Sequence, residues 1–346
     1  MKLGLSHMMF GPHARVNMDL IHHAENLGFD SVWTAEAYGS DAVSLASWIL
    51  AQTSKIKVGT AIMQMPARSP AMTAMTAMTL DHLSEGRFIL GLGPSGPQVA
   101  EGWHGVPYGK PLTRTREYIA IIRAIFAREK PLEYQGEYYH VPNLEEGSSG
   151  LGKPLKSILH GNPDIPIYTA SISPNGLRCA GEVADGVFPM MLDPKRTQSL
   201  VLDHVEAGIA KAAHGKSLAD FTVAPALTCI VGDYEQMSIP VKANMALYIG
   251  GMGARGKNFY NDYAKRLGFE EAAVKIQDLF LDGKKEEAAA AVPDELVNAV
   301  HLIGPEEKIR EGCKAWRAAG ERGEVQLPIV GAMQPEALDI IADELM

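Results

Sequence analysis

Cysteine is scarce in this chain: Cys179, Cys229 and Cys313 are the three among 346 residues, far apart and without a CxxC. That count excludes a disulfide framework or a zinc ribbon and fits a reducing compartment. Basic residues are outnumbered, with 32 Lys and Arg against 41 Asp and Glu, for a formal net charge of -9. No segment gathers a basic stripe, so nucleic acid is not an expected partner. The acidic balance bears on solubility and leaves the fold open. Long apolar runs are missing as well. Nothing approaches a membrane span. The opening MKLGLSHMMFGPH has one lysine and a short apolar run broken at His7 and Gly11-Pro12, and so lacks the apolar core of a secretory leader. The expectation is a cytoplasmic protein with no membrane partner. Two catalytic signatures are absent too. No G-x-S-x-G follows a strand-like run, and the first such run leads into Phe10-Gly11-Pro12-His13 instead of the dinucleotide fingerprint G-x-G-x-x-G.

What is present is a rhythm. The chain is 46% hydrophobic and 21% charged with no polar low-complexity tract, which is the composition of one large packed core. Short apolar runs at 2–9, 31–36, 57–63, 87–93, 165–170, 186–191, 222–231 and 325–330 read as strands. Between them amphipathic segments read as helices, at 42–53, 69–83, 114–127, 175–183, 195–214, 305–319 and 335–345. Asn17 is placed to cap the first helix, and Gly28 to stop it. Strand and helix in alternation imply right-handed βαβ units and a parallel sheet. With the dinucleotide fingerprint missing, an α/β (β/α)8 TIM barrel is expected over an open doubly wound sheet, as a single domain over 1–346. Residues 130–164, rich in Gly, Pro, Tyr and Glu, read as a loop excursion, and 235–300 as added helices.

A barrel of this kind does its chemistry at the C-terminal ends of its strands. Those ends supply His7 and Met8, then Glu36, Ala37 and Tyr38, then Ile62, Met63 and Gln64, and then Gly93, Pro94 and Ser95. Later strands add Ser171, Ile172 and Ser173, Met190 and Met191, and the Gly331 region. No carboxylates and imidazoles converge as metal ligands, so no catalytic metal is expected. With neither metal nor nucleophile, the hard chemistry falls to a bound cofactor. The run Gly91-Leu92-Gly93-Pro94-Ser95-Gly96-Pro97 is either a tight turn of small residues or a place where a ligand meets backbone. Ser171-Ile172-Ser173-Pro174-Asn175 is either ordinary helix capping or a phosphate seat at a helix N-terminus. His7 reads as a buried histidine or a pocket wall. His104, beside Trp103 on a glycine-flanked loop, reads as a wall or a proton donor. Met63, Met65, Met72, Met75 and Met78 are read as core filler. Arg114, Arg116, Arg178, Lys195 and Arg196 are read as solvated, unless their helices face the mouth.

The blocks KLGLSHMMF, LGFDSVWTAEAYGSD, IKVGTAIMQMPARSP, LDHLSEGRFILGLGPSGPQVAEGWHG and ADGVFPMM, in this order and spacing, resemble the luciferase-like monooxygenases. Within that superfamily the resemblance is to the branch using the deazaflavin coenzyme F420. It implies a non-prolyl cis peptide at Ala61–Ile62, with Met63 and Gln64 beside the pocket. It implies further that residues 93–96, namely Gly93, Pro94, Ser95 and Gly96, lie along the cofactor. Ser171, Ile172 and Ser173 would hold its phosphate, with His7 and Met190 against it. Glu36, Tyr38 and His104 are the implied catalytic residues. Two positions depart from the family pattern. The acid–histidine pair that ends the second strand reads Glu36-Ala37 here, and Ile172-Ser173 stand where relatives often have two glycines. An alcohol oxidase needs a base for the hydroxyl proton, and Ala37 offers none. The implied function is therefore a coenzyme F420-dependent oxidoreductase working as a reductase on a small, apolar organic substrate, as a homodimer. The alternatives are an FMN-dependent two-component monooxygenase and a non-catalytic barrel that binds a cofactor or ligand.

Overall fold

In the computed structural model, which describes residues 1–7, 12–212 and 215–346, the parallel strands close on themselves. Seven of them, in chain order, are β1 (Gly4–His7), β2 (Ser31–Thr34), β3 (Lys57–Thr60), β4 (Phe88–Gly93), β5 (Ile167–Ala170), β6 (Gly186–Phe188) and β7 in two pieces (Thr222–Val223 and Ala226–Val231). The last, β8, is Ile329–Gly331. β1 pairs with β2, β2 with β3, β3 with β4, β4 with β5 and β5 with β6. Closure falls to the divided β7. Its first piece pairs with β6 and its second with β8, which returns to β1. The break spans Ala224 and Pro225; proline has no N–H for a ladder, and its carbonyl instead accepts from the Ile329 N–H at 2.8 Å. The barrel read from the sequence is borne out.

Outer helices follow the strands: α1 (Met18–Leu27), α2 (Ala42–Gln52), α3 (Pro70–Leu83), α4 (Pro111–Ala127), α5 (Pro174–Val183), α6 (Asp203–Ile209), α7 (Glu306–Glu321) and α8 (Pro335–Leu345). Their starts are set by local chemistry. Asn17, Asp41, Ser69 and Ser173 each accept a backbone N–H of the first turn, and Gly28 closes α1 in the left-handed conformation at φ 91. The helix expected over 195–214 begins instead as a 3-10 turn and a π turn and ends at Ile209, while Ala213 and His214 lie outside the described residues. Met8 and Met9, read as the end of β1, lie outside them too.

The excursion holds a two-residue ribbon, Tyr134–Gln135 against His140–Val141. It is tied to α4 by Glu117, whose carboxylate accepts the N–H groups of Glu137, Tyr138 and Tyr139. Between β7 and α7 come helices Tyr234–Ala246, Phe259–Arg266, Glu270–Leu281, Lys285–Ala290 and Asp294–Val300. They are followed by a short strand, Leu302–Gly304, that pairs with the outer half of β7. The sequence rhythm missed that strand, whose three residues are too few to show a period.

The barrel is plugged. Trp33, Ile89, Tyr168, Phe188, Ala224, Leu327 and Ile329 form one buried interior cluster. Trp33 stacks on Tyr168 at 5.7 Å between ring centroids and meets Phe188 edge-on at 5.0 Å. Such pairs add about 1 kcal/mol each beyond burial. Ala61, Ile62 and Ala170, only partly buried, pack against this plug at its mouth side. Among the described residues no helix is long and apolar enough to cross a membrane.

Candidate active site

The floor of the mouth is built by residues too small to fill it. Ala61, Ala170 and the half-exposed Gly331 end their strands above the aromatic plug. On β4, a side chain at Gly91 would collide with the Thr60 carbonyl and the Phe188 ring, and a Cβ on Gly93 would come within 2.6 Å of Ile62 Cδ1. The two strands are clamped at this level. The Thr60 hydroxyl donates to the Gly91 carbonyl at 2.8 Å, and the Gly91 N–H donates back to Thr60 Oγ1 at 2.9 Å. β3 then turns through a cis peptide at Ala61–Ile62, as the resemblance implied, and resumes at Met63–Gln64 beside the end of β4.

From here a hydrogen-bonded chain crosses the mouth. Glu36 leaves β2 with its side chain only 6% exposed, and both its oxygens are taken. Arg68 grips them in a fork, Nη1 to Oε1 at 2.5 Å and Nη2 to Oε2 at 3.0 Å. The Gln64 N–H adds a bond to Oε1 at 2.7 Å, and the Ala42 N–H, at the start of α2, a bond to Oε2 at 3.0 Å. Burial works against the Arg68 charge, yet the bonds to Glu36 hold its pKa above the ordinary value. The buried Gln64 side chain passes the chain on. Its amide donates to the Glu36 carbonyl at 3.4 Å and to Ser95 Oγ at 3.3 Å, and its oxygen stands 2.6 Å from His104 Nε2. Glu36, Ser95 and His104, dispersed over the sequence, therefore meet through one side chain.

The opposite flank is cationic. Ser173 caps α5 through the Gly176 N–H at 3.1 Å, and Gly176 packs beneath Ser171 with no room for a side chain. The Asn175 N–H, in the first turn, has no helical carbonyl to meet. Around it stand Arg178, donating to Asn175 Oδ1 at 2.9 Å, Arg266, donating to the Ile172 carbonyl at 2.6 Å, and Arg196, donating to the Arg266 carbonyl at 2.8 Å. Desolvation lowers the Arg266 pKa, and it lowers that of His204 together with the charges of Arg178 and Arg266.

The added helices reach over the mouth. Tyr248 packs edge-on against Tyr260 at 4.8 Å. Burial raises the Tyr248 pKa, and the nearby Tyr38 phenol adds to the effect. Tyr38 itself is 62% exposed.

The expected residues thus fall into three groups. Glu36, Ser95, His104, Gly93, Ala61 and Ile62 meet over β2–β4, with Pro94 and Gly96 half-exposed beside them. Ser171, Ile172 and Ser173 form the other flank, next to the partly buried Met190. Met63 and His7 stand apart. Met63, expected beside the pocket, is 1% exposed and packs in the layer between strands and helices. His7 has a buried Nε2 with no hydrogen-bond partner among the described residues, and burial lowers its pKa against a bond to the Arg15 backbone. Trp103, the neighbour of His104, lies open on the surface. Arg114 and Arg116 serve structure, the first on the Pro107 carbonyl and the second on Glu182. Sequence reading passed over Arg68, Arg266, Tyr248 and Tyr260. These two arginines share no spacing or motif, and only the tertiary fold brings them to the mouth.

Residues 2–323 match the family model for luciferase-like monooxygenases. The chain belongs to that family. It is 42% identical, over 92% of its own length and 93% of the relative's, to a Mycobacterium tuberculosis protein provisionally named a coenzyme F420-dependent oxidoreductase. It is 28% identical to the 5,10-methylenetetrahydromethanopterin reductase of Archaeoglobus fulgidus, over 93% of this chain and 92% of that one. In three dimensions it resembles the coenzyme F420-dependent tetrahydromethanopterin reductase of Methanopyrus kandleri, with a TM-score of 0.77 at 24% identity over 99% and 98% of the two chains. That last likeness speaks to the fold. This chain is an enzyme of the luciferase-like family.

Proposed function

We propose that this enzyme is a coenzyme F420-dependent reductase acting on a small apolar substrate with an activated C=C, C=N or C=O bond. The residues present fit such a cofactor. A flat ring system matches a floor of alanine and glycine above an aromatic plug, and an anionic tail matches the cations around Ser171, Ile172 and Ser173. When bound, the deazaflavin supplies the hydride. The protein's own part is to position the substrate, keep water out and move one proton.

The observation that carries the direction is the state of Glu36. A carboxylate held by a guanidinium fork and two N–H groups has no lone pair turned to a substrate, so Glu36 is assigned to positioning. Ala37 stands where the family pattern has a histidine, so no base awaits an alcohol there. His104 is assigned to proton delivery, with Tyr38 at the rim. As one substrate atom accepts hydride, its neighbour takes a proton from the imidazolium, which recovers it from water.

Titration with coenzyme F420 and with FMN tests the cofactor, and turnover tests the direction. The expected result is tighter deazaflavin binding that weakens with salt, together with reduction of enones or imines. FMN bound in stoichiometric amount with no deazaflavin affinity would transfer the case to a two-component monooxygenase. Binding with no turnover on any substrate would leave a non-catalytic barrel. We also assign a homodimer, because α3 turns Met72, Met75 and Leu83 outward and α2 exposes Trp48. Light scattering on Met75→Glu should then show a monomer.

A further inference from the structure

The geometry points to Gln64 as the positioning residue that decides which ring nitrogen of His104 exchanges a proton; the functional part of this rests on His104 being the proton donor. The argument begins at the Glu36 carbonyl, which can only accept. It meets the Gln64 side chain at 3.4 Å, so the group facing it is the amide NH2. The reverse orientation would set oxygen against oxygen. The same NH2 also faces Ser95 Oγ at 3.3 Å. The Gln64 oxygen is thereby left pointing at His104, 2.6 Å from Nε2, and an amide oxygen cannot donate. Nε2 must carry the hydrogen.

That assignment fixes the other nitrogen. In the neutral ring the lone pair sits on Nδ1, which has no hydrogen-bond partner among the described residues, on a half-exposed side chain. Nδ1 is therefore the atom that gains and loses the proton, in either direction of the reaction. Gln64 is itself 3% exposed, its side-chain amide is held by the Glu36 carbonyl and Ser95 Oγ, and its backbone N–H bonds the Arg68-bound oxygen of Glu36. The Glu36–Arg68 pair thus reaches the reacting proton through one amide, without touching substrate.

The test is nitrogen NMR on ligand-free protein labelled at histidine, with the His104 signals assigned by their loss in His104→Gln. The expected spectrum at alkaline pH shows a hydrogen on Nε2 alone. In Gln64→Met the two neutral forms should mix, and kcat should fall about tenfold with KM unchanged, the worth of one ordinary hydrogen bond. Gln64→Glu, which keeps an acceptor and adds charge, should extend the alkaline limb of the pH–rate profile upward. A hydrogen on Nδ1 in the wild-type protein overturns the inference, as does an unchanged nitrogen pattern in Gln64→Met. The wild-type spectrum, assigned through His104→Gln, decides even if the Gln64 variants do not fold. If the Nε2 pattern is found but reduced deazaflavin supports no turnover, the functional reading fails and the hold of Gln64 on the ring stands.

Discussion

The two flanks of the barrel mouth handle charge in opposite ways. Over β2–β4 the charges are matched within the protein: Arg68 to Glu36, Glu36 to two backbone N–H groups, and Gln64 to everything its amide can reach. Beside β5 and β6, Arg178, Arg196 and Arg266 have no carboxylate within 4.0 Å among the described residues, and they donate only to an amide and two backbone carbonyls. Desolvation already tells on Arg266. One flank is complete without a ligand, and the other has charge to spare for one. On the proposed function the first belongs to architecture and the second to binding, so the same kind of substitution should read out differently on each.

The largest effect is expected on the matched flank. Arg68→Met strands a carboxylate in a nearly buried site, and should cost about 3 kcal/mol in urea unfolding. A cost below about 1 kcal/mol would show the pair to be ornamental, which single surface ion pairs often are, and would dissolve the contrast. His104→Gln comes next. Folding should be untouched, while kcat for enone or imine reduction falls about a hundredfold. Unimpaired turnover would move the proton donor elsewhere, with Tyr38 the first place to look. On the cationic flank, Arg266→Ala should leave unfolding within about 1 kcal/mol of wild type and weaken deazaflavin binding roughly tenfold. Calorimetry in rising NaCl should show a flatter salt dependence than wild type.

The last effect, seen only in acid, lies away from both flanks and separates the mouth from the rest of the barrel. His301 precedes the extra strand and accepts the Thr228 N–H through Nδ1 at 3.1 Å. Burial pushes its pKa down from 6.5 to about 4. Because the folded value lies below the unfolded one, the unfolded chain takes up the proton first. The contribution of His301 is whole above pH 6.5 and is lost as the pH falls toward 4. The melting temperature should decline across that window, and His301→Gln should decline less. Parallel curves for the two proteins would place the acid sensitivity elsewhere.

How much of this was legible in the sequence follows from what is local. Alternating runs gave the barrel, because burial on both faces of a parallel strand leaves a continuous apolar mark. The strand ends at Gly93 and at 171–173 were legible for the same reason, since small residues interrupt those marks. What the sequence hid is long-range. Nothing near Arg68 shows that it faces a carboxylate 32 positions away, and nothing near Arg266 shows that it meets a carbonyl 94 positions away. Glu36 read as a candidate acid because an acid ending an apolar strand has the same appearance whether it is free or fully bonded. For Met63 the residues alone read core filler and the resemblance places it beside the pocket; the fold keeps the first, with Met63 1% exposed between strands and helices.

The two glycines of β4 carry a consequence for genetics. At Gly93 the obstacle is the tip of another side chain, Ile62. A damaging Gly93→Ala should therefore find suppressors, and Ile62→Val or Ile62→Ala are the first to select. At Gly91 the obstacle is the carbonyl of Thr60, and every amino acid at position 60 presents the same carbonyl. A lesion there has no partner that could change to accommodate it, so a suppressor screen on Gly91→Ala should return true revertants.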